Sequence, residues 1–405
     1  MTPPPSAAAR TSILAASALT IMAAAIIAPS LPAMAAAFAG APNAAVLVKL
    51  ALTITSLAIA ITAPVAGALA DRIGRRPLLL ASLALYAVAG VSGFFITDLG
   101  PLLASRALLG VAVGGIMTAV GTIITDWFEG ARRASFLALQ QASASLGGVI
   151  FLPLAGALAE ISWHAPFLLY AAGLPALALV LLTLREPRTH SGAAASASRA
   201  SKGGVAWRIA GLDVIALVVT TVFFMAPTQL PFSLRAFGAS SVIVGIVIAA
   251  STATGVLGAL LFPRLNGRVP SAAITAVSVL ALGLGWALIG TATGLPQVIA
   301  GVLLGGVGVG LAVPDLNHRL AALAPPAHRG RILSTLVSSI FLGQFLSPVT
   351  LQPLIGAIGI PDAFIVTGAV LVAGAIAALV RIGIRRTRTD SSLLTSPTTI
   401  ERKSS

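Results

Sequence analysis

The sequence predicts an all-α membrane protein whose twelve transmembrane helices form two six-helix bundles. Three observations carry that prediction. Only 9% of the residues are charged and 57% are hydrophobic, where soluble domains carry about 25% charged residues. A water-soluble fold would lack the polar surface to cover itself. Charge-free apolar runs of bilayer length recur along the chain, and basic residues gather at every second junction between them. The alternating pattern of a membrane β-barrel is absent from the sequence.

The first run, about 12–34, lies in a charge-free stretch over 11–48. Arg10 before it and Ala33-Met-Ala35 near its end look like a signal peptide with its cleavage site, but the run is too long and its flanks are wrong for one. Further spans follow at about 45–70, 77–96, 100–125, 134–158 and 163–184. Residues 185–208 are the longest polar interruption. Arg-Glu-Pro-Arg-Thr-His leads there into a Gly/Ala/Ser stretch, which reads as a flexible linker. Beyond it lie spans at about 209–231, 239–262, 271–291, 295–314, 332–357 and 362–382. Residues 269–314 are charge-free throughout, and the turn Thr291-Ala-Thr-Gly-Leu-Pro296 divides them in two. The expected organisation is an amino-terminal bundle over 1–184, a linker over 185–208, a second bundle over 209–384 and a tail over 385–405.

With the amino terminus inside, the even-numbered junctions hold Arg72, Arg75, Arg76, Arg132, Arg133, Arg185, Arg208, Arg264, Arg268, Arg319, Arg329 and Arg331. Only Lys49 and Arg235 lie near the opposite junctions, and Arg106 lies within a span. This positive-inside pattern puts both termini and the linker in the cytoplasm, and losing the first span would invert it. The net charge of +14 is thus a topology signal and a match to anionic lipid heads, not a nucleic-acid footprint. The chain has no cysteine, and its four histidines (164, 190, 318 and 328) are not at metal-ligand spacing. No metal site or cofactor is expected. A preference for Arg over Lys and an Ala/Gly-rich composition point to a GC-rich bacterium and its plasma membrane.

The halves look related. Gly67-Ala-Leu-Ala-Asp-Arg-Ile-Gly-Arg75 ends span two, and Gly258-Ala-Leu-Leu-Phe-Pro-Arg-Leu-Asn-Gly-Arg268 ends span eight. Gly148 and Pro153 of span five each map 195 residues on, to Gly343 and Pro348 of span eleven. Such repeats are expected where two bundles pack around a central site.

The run Gly67-Ala-Leu-Ala-Asp71-Arg72-Ile-Gly74-Arg75-Arg76 resembles the signature loop between spans two and three of the major facilitator superfamily. Arg106-Ala-Leu-Leu-Gly110 is similar to the Arg-x-x-x-Gly motif of proton-coupled members. Gly148-Val-Ile-Phe-Leu-Pro153-Leu-Ala-Gly156 is similar to the antiporter motif of the drug:proton efflux branch, and Trp163-His-Ala-Pro-Phe167 to a common Trp-Arg-x-x-Phe. The chain departs from the antiporter pattern at Leu152, where glycine is usual, and at Gly156-Ala157, where two glycines are usual; span one carries no acid. The resemblance implies a cytoplasmic latch built on Gly67, Asp71, Arg72, Gly74, Arg75 and Asp126. In it Asp71 faces the amino-terminal end of span eleven near Ile332–Thr335, and Arg75 pairs with Asp126.

Candidate substrate or coupling residues are the in-span Arg106, expected to face a central cavity, with Gln140, Gln141, Thr228, Gln229 and Gln344. Each amide or hydroxyl has the alternative role of a helix–helix hydrogen bond. Lys49 is expected to snorkel, and Asp213 and Asp315 to be interfacial. Gly148, Pro153, Gly156 and Pro348 are candidate kinks, while Gly110/Gly114, Gly301/Gly305 and Gly306/Gly310 are packing pairs. The expected function is secondary transport of a small amphipathic solute by alternating access, as proton-coupled efflux; the alternative is an importer or facilitator. Its partners would be that solute, the bilayer and protons, with no nucleic acid, and the carrier a monomer. A non-transporting sensor or scaffold ranks behind these. So does a membrane enzyme, because no ATP-binding or hydrolase motif is present.

Overall fold

A computed structural model describes residues 5–186, 203–325 and 329–394. Most of the expected linker (187–202) and the end of the expected tail (395–405) lie outside the described residues. Twelve helical spans run up and down in chain order. The first six are α1 (Ala7–Ala37), α2 (Ala44–Ile73), α3 (Arg75–Ser92), α4 (Leu99–Trp127), α5 (Gly130–Ile161) and α6 (Ala165–Thr183). The next three are α7 (Gly203–Phe223 continued by Met225–Ala236), α8 (Ser241–Leu265) and α9 (Ser271–Gly290). The chain closes with α10 (Leu295–Leu323), α11 (Arg329–Ile358) and α12 (Ile360–Leu394). Eleven are long and apolar enough to cross a bilayer. The other, α3, is 18 residues long and opens on Arg75 and Arg76. Helix α12 continues to Leu394, past the expected end of the last span and into the expected tail.

Local chemistry sets the breaks. Pro29 has no N–H to donate, and α1 tightens into a 3-10 turn over Ala28–Ser30. Helix α6 likewise opens with a 3-10 segment, Ala165–Ala172, behind Pro166. The α2–α3 turn is one residue, Gly74, at φ +95°, a conformation that favours glycine.

Packing repeats with an offset of six helices. Pairs α1–α5, α2–α4 and α3–α4 recur as α7–α11, α8–α10 and α9–α10. Small residues permit these contacts. A side chain at Gly110 would run into the carbonyl of Thr55, and one at Gly310 into the carbonyl of Gly255. Buried aromatics tie each half internally by their polar ends: Tyr86 and Tyr170 donate to the carbonyls of Leu19 and Ala23, and Trp286 donates to that of Val222. The main contacts between halves are α5 with α8 and α2 with α11, which together make a seam. Below, the face holding the α2–α3 turn and the end of α6 is called the linker face, and the opposite one the far face.

Candidate functional site: the seam between the halves

One face of α2 lies along the seam. Lys49, Ser56, Gly67 and Asp71 share it, separated by whole helical turns. Near the far face this stripe is tightly engaged. Lys49 Nζ donates to Gln229 Oε1 (2.9 Å) on α7 and to Gln352 Oε1 (2.7 Å) on α11. It also lies over the Phe232 ring, 5.0 Å from its centroid. Two turns on, Ser56 Oγ donates to Gln344 Oε1 (2.8 Å). Nearer the linker face the same stripe is free. A Cβ at Gly67 would meet nothing within 4 Å, and the Asp71 side chain is 72% exposed.

Helix α5 behaves in the same way. Its face through Gly148, Leu152 and Gly156 packs on α8. Gly148 comes against Thr252, and the backbone of Leu152 and Pro153 against Gly245. Gly156 meets the carbonyl of Ser241, whose N–H donates to the Glu160 carboxylate. Leu152 replaces the usual glycine of the antiporter pattern, and Gly245 on the partner helix supplies the close approach instead. Two turns towards the linker face the stripe continues to Gln141, which is exposed. The halves therefore meet near the far face and part towards the linker face.

The latch residues are divided accordingly. Arg75 Nε lies 3.3 Å from Asp126 Oδ2, and Arg75 Nη2 lies 3.3 Å from Asp71 Oδ1. Asp71 does not reach α11 in this arrangement. Thr335, where the latch would form, donates to Asp213 Oδ2 (2.7 Å) of its own half. Arg72 is exposed. Beside them is a contact that sequence reading missed. Glu186, the second residue of the expected linker and the last one described before 187–202, accepts from the backbone N–H groups of Arg75 (2.7 Å) and Arg76 (2.9 Å). It caps α3 where the helix dipole favours negative charge, and a side chain at Gly74 would collide with it.

Other expectations need correction. Arg106 does not face the seam. It is 1% exposed within the first half, where Nη2 donates to the carbonyls of Ala89 (2.7 Å) and Gly90 (2.9 Å) in the last turn of α3. The Ala89 carbonyl also accepts from Ser92 Oγ (2.9 Å). Its guanidinium lies over Phe167 and Tyr170, 4.7 and 5.0 Å from their centroids. Lys49 does not snorkel: it is 5% exposed and turned into the seam. Asp315 is not interfacial but fully buried, accepting from Thr275 Oγ1 (2.5 Å) with Arg319 Nη1 at 4.0 Å. Helix α9, which provides Thr275, covers it. Thr228 is buried and spends its hydroxyl on its own helix, at the carbonyls of Phe224 and Met225. Gln140 is half-buried. Helices α5 and α11 run unbroken through Pro153 and Pro348. Of the polar candidates, Gln229 and Gln344 are the two that bond across the seam; Lys49 and Gln352 join them. Sequence reading missed Lys49 as a seam residue; the signal that could have found it is the helical face it shares with Gly67 and Asp71.

Comparison with known proteins places this geometry. The family model of the Major Facilitator Superfamily matches residues 13–233 and 212–399. The chain is 30% identical over 313 residues to the class C tetracycline resistance protein of Escherichia coli, covering 73% of this chain and 76% of that one. It is 28% identical over 299 residues to a putative tartrate transporter of Agrobacterium vitis, covering 64% and 63%. The crystal structure of a bacterial homolog of the human lysosomal transporter Spinster, inward-facing and occupied, superposes with a TM-score of 0.74. It is 17% identical and covers 91% of this chain and 95% of that one.

Proposed function

The chain belongs to the Major Facilitator Superfamily of multi-pass membrane transporters, and from that premise we propose that it carries a small amphipathic solute by alternating access. The linker face is cytoplasmic, and the structure is the arrangement open to the cytoplasm. The observation behind this reading is the parting of two independent stripes, on α2 and α5, in the same direction. Each touches the other half near the far face and is bare near the linker face. Opening the far face would need the bonds of Lys49 and Ser56 to break. Closing the linker face would bring Asp71 to the amino-terminal end of α11, where a carboxylate is favoured. The halves move as units over 1–184 and 209–384, joined by the linker, in the plasma membrane.

Export, with protons as the driving ion, is the first reading of direction; the likeness to a tetracycline resistance protein supports the export. Uptake is the second. A cation placed in the far-face gate supports it, and the likeness to a putative tartrate transporter supports a carboxylate as the solute.

Flux in proteoliposomes tests both. Tetracycline and tartrate are supplied with a pH gradient of either sign or none. The expected result is saturable movement of one of them whose rate follows the gradient; no flux dependent on the protein, under any gradient, would overturn it. Orientation is tested by a single cysteine at position 196 of this cysteine-free chain. It should resist an impermeant thiol reagent in intact cells, and labelling there would invert the assignment.

A further inference from the structure

Lys49 is a buried ion without a counter-ion. Its ammonium is held by two neutral amide oxygens and one ring face, and it belongs to none of the three ion pairs among the described residues. The surrounding segments cannot supply an acid. The second part of α7 (Met225–Ala236) and all of α11 (Arg329–Ile358) contain no Asp or Glu. On α2 itself the only acid is Asp71, 22 residues on, about 33 Å away at helical rise. Burying a charge in a membrane protein is costly and marks function more often than packing.

The two amides come from the second half, while Lys49 belongs to the first. When the far face opens, the halves separate there and both oxygens leave together. The ammonium has three donors; it is then exposed at the outer mouth of the seam, stripped of its acceptors and still charged. Phe232, whose face it covers, also forms one wall of an apolar recess of about 180 Å³ that Phe237, Ile289, Val298 and Phe364 complete. One cation over an aromatic face suits a singly charged anion with a small apolar body.

We propose that Lys49 is the far-face binding residue for a small carboxylate, whose apolar part rests on Phe232 and whose place the Gln229 and Gln352 amides take when the far face closes. This rests on the alternating-access reading above. The amides reproduce the oxygens of the departed carboxylate without its charge. Lys49 thus alternates between a ligand and the gate.

The test uses the full-length chain with Thr53→Cys, a fully buried position one turn beyond Lys49 on α2, in proteoliposomes labelled from the far face by an impermeant thiol reagent. The labelling rate without added anion reports opening of the far face, and its slowing by an anion reports the site. Benzoate should slow labelling about tenfold, the worth of one charge-assisted hydrogen bond; the neutral benzamide should not. Lys49→Arg should keep the protection and Lys49→Gln should lose it, each judged against its own rate without anion. Equal protection by benzamide, undiminished protection in Lys49→Gln, or no protection by benzoate while labelling proceeds would overturn the proposal. No labelling under any condition would instead overturn the alternating-access reading on which it stands.

Discussion

Arg106 and Lys49 are the two nearly fully buried cations of the described molecule, neither has an acid partner, and they place their donors in opposite ways. Arg106 spends its fork inside one half, on the end of α3 and on two aromatic rings from α6. Lys49 spends its donors across the seam, on amides of α7 and α11. A cation satisfied within a rigid unit holds that unit together in every state of the carrier. A cation satisfied between units is satisfied in only one state, and so distinguishes them. The rigid fork of Arg suits the first task, and the flexible point charge of Lys the second.

Removing Arg106 should have the largest effect. Arg106→Ala loses two charge-assisted bonds and two cation–π contacts, and takes from the Gly90 carbonyl its side-chain donor in an apolar interior. Stability should fall by roughly 3–5 kcal/mol, seen as a lower melting temperature in detergent. Arg106→Lys, without the fork, should fall between. A variant with alanine there that melts like the parent yet fails to transport would break the comparison and return Arg106 to the solute pathway.

A change at the seam should move the equilibrium and not the melt. Gly156→Val places a side chain against the carbonyl of Ser241 where α5 meets α8. Overpacking of about 1–3 kcal/mol would fall on the far-face-closed arrangement alone, and far-face labelling should rise about tenfold. Gly110→Val, which collides with Thr55 inside the first half, should lower the melting temperature instead. If both variants behave alike, the distinction between seam and bundle fails.

The smallest stability effect belongs to Asp71→Asn. Its own side chain is largely exposed, and an ion pair with one partner in water contributes about 0–1 kcal/mol, so the melt should scarcely move. Transport should drop several-fold, because the charge is needed only when the linker face closes. Unchanged flux would leave Asp71 a solvated residue of the turn.

Depth along each helix was legible in the sequence, because charges mark where spans end; direction around the helix was not. Arg106 drew attention by its depth, but the residues it touches, Ala89, Gly90, Phe167 and Tyr170, have no signal linking them to position 106. Lys49 lay near a span end, where a flexible cation ordinarily reaches water. Only its alignment with Ser56, Gly67 and Asp71 pointed inward. Asp315 also looked interfacial by depth, and no linear pattern announces that α9 crosses it with Thr275. The resemblance named Arg75 and Asp126 together, which lie 3.3 Å apart. It could not name Glu186, whose role depends on where α6 ends beside α3.

That carboxylate has a mechanical consequence. Glu186, the second residue of the expected linker, is stitched to the first two residues of α3. A tether fixed in this way transmits tension to its anchor. Any shortening of the linker, or any load hung on it, would be felt first at Gly74 and the arginines around it, on the same short turn that carries Asp71. Length changes in the linker should therefore act on the carrier as a lever acts on its fulcrum.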